Sequence, residues 1–229
     1  MKKTVCLMLA LMLCLASVPA LAAGKLNVTQ ENYHFVGGYG RYVYAYAKVE
    51  NSGDRPIKVN AGVLEIYDEN GDVLSSTDYH NAYATYLQPG EYTYVRMYDD
   101  LEENQVPADY MLTLVGKSDN SRVAFRLPAE ASFEMGVKEE WQTHNYLYAQ
   151  VTNPTDKVLY SVETVFALLD AEENIIYIDS KSLYSEIGIM PGQSVMVRLD
   201  IPTNYTDYFA ANGIVPASVD AISYVLMEK

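Results

Sequence analysis

The sequence predicts an all-β fold built as two tandem β-sandwich domains, and three observations predict it. The chain repeats itself about a hundred residues on, each copy alternates apolar and polar side chains with period two, and turn residues interrupt that alternation at short intervals. No segment of helix length carries a 3.6-residue period. Only Leu101 to Gln105 and Tyr205 to Asn212 read as a helical turn or two.

The duplication comes first because it sets the domain size. At an offset of 102 residues, Tyr44 to Arg96 falls on Tyr146 to Arg198 without a gap. Tyr46 meets Tyr148, Asn51 meets Asn153, Val63 meets Val165 and Asp68 meets Asp170. Pro89-Gly90 meets Pro191-Gly192, and Val95-Arg96 meets Val197-Arg198. Beyond the arginines the register slips, because Val106-Pro107-Ala108 resembles Val215-Pro216-Ala217 at an offset of 109. The second copy therefore has a longer connection, Thr203 to Gly213. A unit of about a hundred residues is large enough for its own core. The predicted organisation is a signal peptide over residues 1–23, a first sandwich over 24–127 and a second over 128–229, with the boundary in the stretch Ser118 to Ala131.

Within each copy the strands follow from alternation. Tyr42-Val43-Tyr44-Ala45-Tyr46-Ala47-Lys48-Val49 alternates large polar-tipped with small apolar residues, and Asn145 to Val151 does the same. Asn51-Ser52-Gly53-Asp54 and Asn153-Pro154-Thr155-Asp156 turn the chain. Val63 to Tyr67 and Val165 to Leu169 are the next strands, and Asp68-Glu69-Asn70-Gly71 is a hairpin turn whose glycine supplies a positive φ. Pro89-Gly90 and Pro191-Gly192 lead into strands ending at Val95 and Val197, and Tyr110 to Val115 and Ala221 to Met227 close the copies. Short strands at this spacing specify a sandwich.

The strand-plus-turn Phe166-Ala167-Leu168-Leu169-Asp170, the preceding Asn153 and the later Pro191-Gly192 resemble the FxLYD-type domain of bacterial exported proteins. The first copy carries Leu64-Glu65-Ile66-Tyr67-Asp68, Asn51 and Pro89-Gly90 at the same places. The first lacks the Phe, and the second has Leu169 where Tyr stands in the family. The resemblance implies two immunoglobulin-like sandwiches, an extracytoplasmic location and no assigned enzymatic activity, and it transfers no binding residues.

The N-terminus reads as a secretory signal peptide: Lys2 and Lys3, an apolar run from Val5 to Ala16, and Ala20-Leu21-Ala22 as the cleavage context. The run is shorter than the roughly 20 residues of a spanning helix. Both cysteines, Cys6 and Cys14, lie inside this segment, so the exported chain has no thiol for a disulfide, a metal or a nucleophile. The expected location is secreted or at the cell envelope, with no membrane insertion after cleavage. The formal charge of −14 repels nucleic acid and anionic lipid, so neither is an expected partner.

Chemical motifs are few. Neither Gly-x-Ser-x-Gly nor His-Glu-x-x-His occurs, and His34, His80 and His144 stand at no ligand spacing, in turns or beside strand starts. Gly37-Gly38-Tyr39-Gly40 precedes a strand, whereas a phosphate loop needs a following helix. Asp68, Asn70 and Asp72 begin like a calcium loop, but Gly71 arrives at the fourth position instead of the sixth. Adjacent acids such as Glu139-Glu140 are too numerous to select a glycosidase pair. No cofactor and no metal are expected.

Tyrosine is what remains, with 21 of them against 5 phenylalanines and 1 tryptophan. Ala45, Ala47 and Val49 share one strand face, as do Leu147, Ala149 and Val151, and these are the core sets. Tyr42, Tyr44, Tyr46, Tyr146 and Tyr148 are left on the outer face, as the expected binding residues for a protein or glycan at the cell surface. Cross-strand packing of the tyrosines is the competing account. The expected function is a non-catalytic extracytoplasmic binding or structural module, with a carbohydrate-binding module or an undetected hydrolase as alternatives.

Overall fold

Alternating tyrosines and small apolar residues form strands here because one strand face enters a core and the other leaves it. A computed structural model describes residues 24–36 and 41–228. The signal peptide and the Gly37–Gly40 motif lie outside the described residues. The strands are β1 (Leu26–Val36), β2 (Tyr42–Asn51), β3 (Ile57–Tyr67), β4 (Val73–Thr77), β5 (His80–Ala82), β6 (Tyr86–Leu87), β7 (Tyr92–Asp100), β8 (Asp109–Ser118), β9 (Arg122–Leu127), β10 (Ala129–Glu139), β11 (Gln142–Thr152), β12 (Leu159–Leu169), β13 (Ile175–Ile189), β14 (Ser194–Asp200) and β15 (Ser218–Glu228). One helix, α1 (Thr203–Asn212), is found among the described residues, between β14 and β15.

The fold is all-β, and its paired strands are antiparallel. In the first repeat a sheet ordered β1-β2-β7-β5 faces a second made of β4-β3-β6 with β8 paired to β3. In the second repeat the sheet β10-β11-β14 faces β13-β12-β15-β9. The expected core sets point inward: Ala45, Ala47 and Val49 pack with Leu64 and Ile66, and Leu147, Ala149 and Val151 with Phe166 and Leu168. β9, on the first-domain side of the predicted boundary at residue 128, pairs with β15 and so extends a sheet of the second repeat.

The repeated punctuation has a physical basis. Asn51 and Asn153 are fully buried, and each side-chain amide bridges two carbonyls: those of Arg55 and Leu87 at 2.8 and 3.0 Å, and those of Lys157 and Ile189 at 2.8 and 2.7 Å. Gly90 and Gly192, both at positive φ, donate to the Asn51 and Asn153 carbonyls at 2.8 Å. The hairpin aspartates behave alike. Asp68 Oδ1 accepts from the backbone of Asn70 and Asp72, and Asp170 Oδ1 from that of Glu172 and Asn174. Asp68 therefore serves the turn, and the backbone donors hold its carboxyl below the usual carboxylate range.

The extra residues of the second repeat fold as α1, which ends at Gly213 with φ 66° and buries Tyr205 and Phe209. Leu101 to Gln105 forms a turn with no helix. Among the described residues, no helix is long and apolar enough to cross a membrane.

Candidate functional site: two tyrosine faces

The two repeats present the same tyrosine face to different surroundings. In the first, Tyr42, Tyr44 and Tyr46 run up β2, with ring centroids 6.0 and 6.3 Å apart. β7 lies beside it and adds Tyr92, Tyr94, Arg96 and Tyr98, with Arg96 in register with Tyr46. The expectation that this face is free is corrected here. Tyr46 is fully buried, and with Tyr83 and Tyr94 it packs against Ala124, Val165, Ala167, Ile178 and Tyr224 of the second repeat. Tyr44 meets Tyr205 of α1 at 5.2 Å between centroids, and Tyr205 meets Tyr177 at 4.8 Å. Tyr42 is half-buried at the end of the row, edge-on to Tyr98. The alternation correctly turns these side chains away from their own core, but a second sheet covers them.

Polar contacts fix the register of that seam. The Arg96 guanidinium donates to the Ile178 carbonyl at 3.1 Å and pairs with Asp179 at 3.2 Å. Tyr92 and Tyr94 both donate to Asp220 Oδ2, at 2.8 and 2.6 Å. Arg126 of β9 donates to the Tyr92 carbonyl at 2.7 Å. Burial, with the Asp220 carboxylate beside it, pushes the Tyr92 phenol up to about 12, and burial raises Tyr94 and Tyr205 further. These phenols stay neutral donors at any ordinary pH. His34 is not in a turn: it lies within β1, buried between Tyr46 and Tyr208, with Nδ1 3.3 Å from the Tyr208 hydroxyl.

In the second repeat the same row is His144, Tyr146 and Tyr148 on β11, with Arg198 of β14 in register with Tyr148. No sheet covers it. The Arg198 guanidinium lies 4.3 Å from the Tyr146 ring centroid and pairs with Glu139 at 3.7 Å. The His144 ring also stacks on Tyr146, at 5.4 Å with an interplanar angle of 4°, and Tyr146 is only 2% exposed among these polar side chains. The expectation of an open Tyr146 is corrected to that extent. Tyr148 is half-exposed and donates to Glu134 at 3.1 Å, and burial together with that bond raises its phenol. His144 Nδ1 is 2.9 Å from Asp200 Oδ2. Trp141, in the turn between β10 and β11, is 96% exposed beside a recess lined by Glu139, Glu140, Gln142 and His144.

Reading the sequence for tyrosine alone missed Arg96, Arg198, Asp220, Trp141 and Tyr205. The two arginines carried a signal, since they fall on each other in the repeat. Among the described residues, no three His, Cys, Asp or Glu side chains stand close enough to hold a metal ion. The His144–Asp200 contact is half of a nucleophile-activating relay. No hydroxyl hydrogen-bonds the other ring nitrogen among the described residues.

No family model matches the chain, and no curated protein matches it. Among solved structures it is similar, at 12% identity, to the secreted serine protease VesC from Vibrio cholerae, over 87% of this chain and 51% of that one, with a TM-score of 0.22. It is also similar, at 12% identity, to red sea bream transglutaminase, over 86% of this chain and 29% of that one, with a TM-score of 0.21. The chain spans about half the length of the first of these proteins and less than a third of the second. At such TM-scores neither likeness carries an argument about activity.

Proposed function

We propose that this chain is a non-catalytic, extracytoplasmic binding or structural module, whose working surface is the uncovered tyrosine face of the second repeat. One observation carries the reading. In the first repeat the equivalent face is already a docking surface, using tyrosine rings for area and an arginine for register. The second repeat keeps the tyrosines and the arginine and leaves them without a covering sheet. Half-exposed Tyr148 and the exposed Arg198, with Tyr146 beneath the guanidinium, have the composition of an interface core. The basic start, apolar run and small-residue ending of the N-terminus support export, and the FxLYD-like motifs support a cell-envelope setting.

Carbohydrate recognition is a second reading, favoured by Trp141. An indole 96% exposed beside the carboxylates of Glu139 and Glu140 offers a stacking platform flanked by acceptors for sugar hydroxyls. The hydrolase reading has no comparable support. The test is cosedimentation of the purified chain, from residue 24 onward, with washed cell envelopes and with soluble envelope polysaccharides. Tyr148→Ser and Arg198→Glu are expected to reduce binding while the melting midpoint holds, and Trp141→Ser to reduce polysaccharide binding selectively. Turnover of a peptide, ester or glycoside, abolished by changing Asp200 or His144, would overturn the reading.

A further inference from the structure

The covered seam inside the chain is a template for a contact that both of its outer faces leave unmade. Its receiving side is the outer face of β12, β13 and β15, where Val165 and Ile175 are fully buried and Tyr224 is 7% exposed. The same repeat positions in the first repeat are Val63, Val73 and Val115, on the outer face of β3, β4 and β8, and these are 39%, 55% and 50% exposed. The chain thus presents one uncovered donor face, on β11 and β14, and one uncovered receiver face of the same architecture.

We propose that the tyrosine face of the second repeat docks, head to tail, on the β3–β4–β8 face of the first repeat of a second copy of this chain. The inference rests on the reading of the tyrosine faces as docking surfaces. Two exchanged contacts support it beyond shape. In the seam, Tyr94 donates to Asp220. At the corresponding positions of the two free faces stand Met196 and Met111, both exposed, so a polar pair has become an apolar pair on both sides at once. Likewise Arg96 reaches the Ile178 carbonyl and Asp179. On the free receiver those positions are Ser76 and Thr77, with no acid, but Glu65 lies directly across from Ser76 in the β3–β4 register. Glu65 stands where the covered face has Ala167. Glu65, which accepts from Tyr67 at 2.9 Å, thus offers Arg198 an acid on the neighbouring strand in exchange for its exposed pairing with Glu139 at 3.7 Å.

The first repeat has no counterpart of α1, so the contact between copies lacks the clamp that Tyr205 applies to Tyr44. It also lacks the high effective concentration of two units on one chain. The association is therefore weak and reversible. Because the two faces differ, the interface is heterologous and leaves a free donor and a free receiver on every open assembly, giving chains, or rings where the ends meet.

The test is sedimentation equilibrium of the exported chain from micromolar to millimolar. The expected result is at least a doubling of the weight-average mass, with no plateau at the dimer. Met196→Asp blocks the donor and Met111→Asp blocks the receiver. Both positions are exposed, so the folds survive and each variant alone stays monomeric. Mixing the two leaves one good donor and one good receiver and gives a capped heterodimer. Arg198→Glu should weaken association about tenfold, and adding Glu65→Arg should restore it. A chain that stays monomeric throughout, a mixture of blocked variants that stays monomeric while the parent associates, or a charge swap that restores nothing would each overturn the proposal. Envelope binding by Met111→Asp, which keeps the donor face, separates the two failures: if it persists without self-association, only the head-to-tail contact falls.

Discussion

Tyr46 and Tyr148 hold the same position of the same repeat, on equivalent strands and opposite equivalent arginines, yet Tyr46 is sealed and Tyr148 is half-exposed. Nothing local distinguishes them. The difference lies in what approaches: a sheet apolar on its outer side reaches Tyr46, and only flanking polar side chains surround Tyr148. A tyrosine-rich strand face is thus a surface with two uses: buried in the seam the Tyr46 ring contributes area while its hydroxyl goes without a hydrogen-bond partner among the described residues, and half-exposed the Tyr148 hydroxyl donates to Glu134.

Substituting the pair gives the largest expected separation. Tyr46→Ser removes a ring from a close-packed seam and should lower unfolding free energy by about 3 to 4 kcal/mol. Tyr148→Ser should cost under about 1 kcal/mol, the scale of an exposed cross-strand contact. Urea midpoints of the two variants check this, and equal losses would break the comparison. By contrast Asn51→Ala and Asn153→Ala should be alike, because the two amides bridge equivalent carbonyls in equivalent cores. A loss of roughly 2 kcal/mol is expected from each, the cost of leaving buried carbonyls unmet. A large asymmetry in the same urea measurement would show that the repeats differ in their cores as well as on their faces.

A smaller effect follows from His34, whose place opposite Tyr44 is taken in the second repeat by Glu134 opposite Tyr146. Burial holds its imidazole below the ordinary 6.5, while the Ile175 carbonyl and Asp170 pull the other way. The unfolded chain therefore binds a proton there that the folded chain resists. The contribution of a neutral His34 is complete above pH 6.5, and stability falls as pH drops through that value towards the folded one. His34→Gln should flatten this slope at pH values still above the carboxylate range. Thermal midpoints of parent and variant across that window provide the check, and an unchanged slope would remove His34 from the seam's energetics.

Much of this architecture was legible in the sequence, because strand alternation and turn chemistry are local. The inward sets at Ala45 and Leu147, the hairpin at Asp68, the turns at Asn51 and Asn153, and the helical stretch near Tyr205 all follow from short-range patterns, whereas the burial of the two asparagines does not. Coverage of the outer faces is not local, which is why all five tyrosines read alike. A trace of it was nevertheless present. Val165-Phe166-Ala167-Leu168-Leu169 is apolar on both strand faces, as in a strand buried on both sides. The matching Val63-Leu64-Glu65-Ile66-Tyr67 breaks that run with Glu65. The receiving strand, more than the tyrosines themselves, shows which tyrosine face is covered.

Hydroxyl-radical footprinting of the chain from residue 24 onward, read residue by residue by mass spectrometry, tests the central claim most directly. The account predicts strong labelling of Trp141, clear labelling of Tyr148, and protection of Tyr46 and Tyr94 comparable to that of the buried Phe166. Equal labelling of Tyr46 and Tyr148 would contradict it, because the two tyrosine faces would then share one environment.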